Sequence, residues 1–130
     1  GAGPWLGTVA LDSAAMDVVQ VMQARHFRLY DQAFGSDPAI WTAASPTRQL
    51  AAGAVPLLAV CSSRRDDSCA QANGLKTRAD ALGVRVEVLP QDLSHKQINA
   101  ELGLPGAYTQ AVDAFIATLY RPASPPEVAR

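Results

Sequence analysis

Two stretches of the chain are apolar at consecutive positions, WLGTVAL at 5–11 and VPLLAVC at 55–61. A strand covered on both faces has this pattern, so each predicts a strand buried within a parallel sheet. A third stretch, VRVEVL at 84–89, alternates, with Val84, Val86 and Val88 on one face and Arg85, Glu87 and Leu89 on the other. That pattern predicts an edge strand. Between the second and third stretches, Ala72, Leu75, Ala79 and Leu82 fall at helical spacing, and Gly83 suits the left-handed residue that ends a helix. Strand, helix and strand in this order predict a right-handed βαβ unit over 55–89. The first strand is as apolar as an interior one, yet a three-stranded sheet would leave one of its edges open. Natural chains avoid such edges, so further strands are expected beyond it, outside this sequence.

The remaining segments read as helices. Ser13 is placed to cap a helix over about 14–23, with Met16, Val19 and Met22 on one face. Phe27, Tyr30 and Phe34 follow at helical spacing up to Gly35 and, with Trp41, read as core packing; a cap over a site is the lesser alternative. Asp37 and Pro38 open a short helix that Ser45-Pro46 breaks. Ser94 and Gln97 have capping-box spacing for a helix ending near Gly103, and Pro105-Gly106 forms a turn. Ala111, Val112, Phe115, Ile116 and Leu119 line one stripe of a last helix over 107–120. Residues 122–130 are too proline-rich to pack and read as a flexible tail behind one domain over 1–121.

Composition narrows the function. Across 130 residues, 48% hydrophobic and 18% charged residues suit one packed domain. A net charge of −1, with Arg64-Arg65 cancelled by Asp66-Asp67, offers no basic face for nucleic acid. No apolar run approaches the roughly 18 residues of a membrane span. The opening GAGPWLG has neither an initiator Met nor a charged leader, and looks like a processed or cut end. Two cysteines and two histidines make a zinc site improbable, and no cofactor is expected. The spacing of Cys61 and Cys69 leaves a disulfide and a pair of free thiols equally open.

Ligand crevices of open α/β sheets lie at the carboxyl ends of the strands. Asp12 follows the first strand, Asp66 and Asp67 the second, and His95 the third. A carboxylate there could fix the tautomer of the imidazole, which would then act as general base and acid. Plainer roles compete: Asp12 as a cap, Asp66 and Asp67 as loop residues beside the arginines, Ser94 as a helix cap, His95 as a solvated side chain. A nucleophile is missing. No GxSxG occurs, and Ser13 lacks the small flanking residues of a sharp elbow.

Four stretches together, ALDSAAMDV, FGSDPAIWTAASP, VPLLAVCSSRRDDSC and DLSHKQINAELGLPGAYTQAVDAFIATL, resemble the C-terminal half of α/β-hydrolase esterases of the bacterial carboxylesterase or feruloyl-esterase-like type. The likeness runs from Leu6 to Tyr120. It implies a partial α/β-hydrolase fold of three parallel strands and flanking helices, with 13–50 as a cap-like helical segment. It makes His95 the triad histidine and places the acid in RRDDSC, with Asp67 favoured, Asp66 second and Asp12 third. The serine and oxyanion-hole glycines would precede Gly1, in an N-terminal half that completes the sheet and acts as partner. A small ester would be the substrate, and the chain alone would be inactive. Because the cysteines bracket the acid loop implied by the resemblance, a Cys61–Cys69 bridge is favoured. The protein would then be secreted or periplasmic, and otherwise cytoplasmic. Two rivals remain: a non-enzymatic α/β ligand-binding module, and a thiol-redox domain, which the cysteine spacing disfavours.

Overall fold

The structure is a computed structural model and describes residues 4–120. The expected tail at 122–130 lies outside the described residues. The chain runs β1 (Thr8–Leu11), α1 (Val18–Gln23), α2 (Arg28–Phe34), α3 (Pro38–Ala43), α4 (Pro46–Gln49), β2 (Leu57–Ser62), α5 (Ser68–Leu82), β3 (Val86–Gln91), α6 (His95–Glu101) and α7 (Ala107–Leu119). The three strands form one parallel sheet in the order β1-β2-β3, with Ala10 beside Ala59 and Ala59 beside Val88.

The unalternating pattern of the central strand follows from cover on both faces. Leu58 and Val60 of β2 pack with Ile98 of α6 and Tyr108, Val112 and Phe115 of α7. On the opposite face Ala59 and Cys61 meet Ala72 of α5. Nearby, Val86 joins Met16, Leu75, Ala79 and Val84. Leu75 and Ile98 are essentially sealed from solvent, at 1% and 0% exposure. Each such side chain contributes about 1.5–3 kcal/mol through removal from water. The Tyr108 hydroxyl donates to the Ile98 carbonyl at 2.9 Å, satisfying an acceptor in the last turn of α6 and tying α7 to it.

Strand β3 pairs with β2 alone among the described residues, as its alternation requires. Gly83 ends α5 in the left-handed region (φ 67°, ψ 26°), and Val84 N donates to the Ala79 carbonyl. Strand β1 also pairs only with β2 among the described residues, so its outer edge carries no described strand. No helix among the described residues is long and apolar enough to cross a membrane.

Two helical expectations need correction. Helix α1 begins at Val18 rather than near Ala14, and its cap is Asp17, which accepts from Gln20 N at 3.2 Å. Residues 13–17 are irregular because tertiary partners hold them. Ser13 Oγ accepts from Ala15 N, Gln71 Oε1 accepts from Asp17 N at 2.7 Å, and buried Ser45 Oγ accepts from Val18 N at 2.8 Å. The second correction concerns the aromatic residues. Helix α2 buries none of its side chains, and Phe27 at its start is 75% exposed. Tyr30 and Phe34 stack on one another, with ring centroids 6.0 Å apart, and Trp41 donates from Nε1 to the Gly35 carbonyl. Helical spacing fixed their common side but not what that side would meet.

Candidate active site

Asp12 directly follows β1, and its backbone N still donates to the Val60 carbonyl at 2.8 Å. Its φ is 57°, a left-handed conformation that aspartate tolerates better than most residues. The side chain is completely buried, so its carboxylate needs donors. Oδ1 accepts from Ser62 N at 2.6 Å and, through a short contact, from the Ser68 hydroxyl. Oδ2 accepts from Arg65 Nη1 and from His95 Nδ1, both at 2.8 Å. Burial alone would raise the carboxyl pKa; the hydrogen bonds from Ser68, Ser62, Arg65 and His95 outweigh it and bring the group down to about 2.

His95 is the first residue of α6, held there by the capping box that the sequence predicts. Ser94 Oγ accepts from Gln97 N at 3.2 Å, and Gln97 Oε1 accepts from Ser94 N at 3.0 Å. Below it, buried Ile98 docks the helix on β2. With an anion 2.8 Å from Nδ1, the ring proton belongs on that nitrogen, leaving the Nε2 lone pair as the basic position. Arg65 Nη1 lies 3.4 Å from the same Nδ1. A nitrogen whose proton faces Asp12 cannot also accept, so the guanidinium acts there as a neighbouring charge. The His95 side chain is 61% exposed. Together with Leu11, Asp12, Ser13, Tyr30 and Arg65 it borders an open cleft of about 470 Å³.

The three candidate acids are thereby reordered. Asp12 meets His95; Asp67 and Asp66 are both exposed, and Asp67 instead reaches Arg65 Nε at 3.2 Å. The reason lies at the base of the 63–67 loop. Cys61, at the end of β2, and Cys69, in the first turn of α5, form a disulfide with Cα atoms 5.1 Å apart. Just inside this bridge, the backbone N–H of Ser62 and the hydroxyl of Ser68 turn inward to Asp12, while the acidic tip of the loop faces solvent.

Arg65, Ser62 and Ser68 belong to the site, although pattern alone did not single them out, and Tyr30 borders it, in keeping with the lesser alternative of a cap. The run Arg64-Arg65-Asp66-Asp67 reads as self-cancelling, yet Arg64 pairs with Asp92 at 2.7 Å and Arg65 reaches across to Asp12. The buried carboxylate's demand for donors is met by the Ser68 hydroxyl and by the backbone N–H of Ser62, which any residue but proline could supply, so only Ser68 is a signal of residue type. The serine hydroxyls around the cleft have other partners: Ser13 with Ala15 N, Ser62 with the Leu93 carbonyl, Ser68 with Asp12 and Ser94 with Gln97 N. Among the described residues no cluster of His, Cys, Asp and Glu could hold a metal ion.

No protein-family profile, curated protein or solved structure matches the chain.

Proposed function

We propose that this chain supplies the acid, Asp12, and the base, His95, of a serine esterase. A segment N-terminal to Gly1 would bring the nucleophile and oxyanion hole and would pair with the outer edge of β1. The observation that carries this reading is the 2.8 Å contact between Asp12 Oδ2 and His95 Nδ1 at the carboxyl ends of parallel strands. A buried carboxylate behind Nδ1 fixes the tautomer that leaves Nε2 free to accept a proton. The serine hydroxyl would attack the carbonyl carbon of a small ester while its proton passes to Nε2. Asp12 would stabilise the imidazolium so formed. Collapse of the tetrahedral intermediate expels the alcohol oxygen, which takes the proton from Nε2. Water, deprotonated by the same Nε2, then attacks the acyl-enzyme, and the serine leaves with the proton returned to it.

One observation favours a second reading, a non-enzymatic module in which the polar cluster only holds the loop: Arg65 already pairs with the Asp12 carboxylate. A fluorophosphonate probe separates the two on the full-length gene product. The esterase reading expects stoichiometric labelling of one serine N-terminal to Gly1, abolished by prior heat denaturation. Absence of labelling in the native protein, or labelling confined to residues 1–130, would contradict it.

A further inference from the structure

Arg65 takes no part in the proton transfers above, yet it touches Asp12, Asp67 and His95. Its Nη1 donates to Asp12 Oδ2 at 2.8 Å and to the Asp12 carbonyl at 3.1 Å. Its Nε lies 3.2 Å from Asp67 Oδ1. The oxygen that Nη1 shares, Oδ2, is the one that faces His95 Nδ1. A single buried oxygen is therefore divided between a permanent cation and an imidazole that can become one.

We propose that Arg65 is a positioning residue that disfavours the imidazolium form of His95, keeping Nε2 available as a base at lower pH than a carboxylate–imidazole pair alone would allow. The functional meaning rests on the esterase reading; the electrostatic effect does not. Two charged groups contact the ring, Asp12 and Arg65, and two further titratable groups lie near it, Tyr30 and Lys96. Asp12 approaches from the end of β1, Arg65 from the β2–α5 loop and Tyr30 from α2, while Lys96 is its neighbour on α6. Asp67 acts at one remove, through Arg65. Counting the groups in hydrogen-bond or ion-pair contact, Asp12, Asp67 and Arg65 sum to one negative charge with His95 neutral, and proton uptake brings this contacting set to zero. Without Arg65 the ring would face the Asp12 carboxylate with no neighbouring cation in contact, and the imidazolium would form more readily. Oδ2 would then also be free to bond to His95 alone. The fork of the guanidinium suits this place because its donors reach both carboxylates at once; a lysine ammonium is a single point of charge.

The test reads the ring directly. Ring signals of the two histidines, His26 and His95, would be followed by NMR from pH 4 to pH 9 in the unmodified chain and in Arg65→Gln. In the unmodified chain the Arg65 Nε signal should shift with the same midpoint as His95. In Arg65→Gln the His95 midpoint should rise, as removal of a neighbouring positive charge directs, while His26 stays in place. A silent Arg65 signal across the His95 titration would overturn the proposal, and this measurement needs no variant to fold. So would an Arg65→Gln midpoint that stays put or falls in a natively folded variant. If the full-length protein hydrolyses esters, its acid limb in kcat/KM should move with the midpoint. If it does not, a raised midpoint still supports the role of Arg65 while the esterase reading fails.

Discussion

Asp12 follows β1 and His95 opens the helix that follows β3, and the two meet across β2 with Oδ2 2.8 Å from Nδ1. Eighty-three positions separate them in sequence. The sheet register and two further fixings produce the contact: the left-handed turn at Asp12, and the capping box that starts α6 at His95. The arrangement is costly without its donors, since an unpaired buried carboxylate would be strongly destabilising.

Acid stability follows from the sign of the Asp12 shift. The folded-state pKa is depressed from 3.8 to about 2, so its contribution is fully present above the unfolded value and disappears as pH falls through the folded one. For this fully buried side chain the shift corresponds to about 2 kcal/mol at neutral pH. Urea unfolding of the wild type should show this loss between about pH 5 and pH 2. Asp12→Asn should be less stable at pH 7 and should show a drop smaller by about 2 kcal/mol over the same window. Equal pH dependence in the two proteins would count against the buried network.

The disulfide acts on the same network from below. It closes a loop of sequence separation 8, for which the chain-entropy argument gives about 2–3 kcal/mol. Cys61→Ala with Cys69→Ala should lower the unfolding free energy by about that amount. Mass should rise on reduction by two hydrogens. Labelling of both thiols in the native, unreduced protein would contradict the bridge.

The layered α/β architecture was legible because burial writes itself into pattern. Strands β2 and β3 differ in alternation as a central strand differs from an edge, and Gly83 and Ser94 act as the caps their chemistry suggests. His95 was legible for the same reason, as a residue set where a strand ends and a helix starts. The partner acid was harder. Asp67 occupies the loop that the resemblance indicates, but which side chain turns inward depends on Ser62, Ser68 and the disulfide, none of which leaves a periodic trace. Phe27 misled in the opposite direction, since helical spacing puts it with Tyr30 and Phe34 yet leaves it exposed.

The most direct measurement is kcat/KM for a small nitrophenyl ester in the full-length protein and its His95→Ala and Asp12→Asn variants, each verified as folded. Loss of the base should lower kcat/KM by at least about a thousandfold, and loss of its buried carboxylate by about a hundredfold or more. Asp66→Asn, which changes an exposed loop residue, should stay within about twofold. Near-normal ester hydrolysis in folded His95→Ala would contradict the assignment of acid and base to this chain.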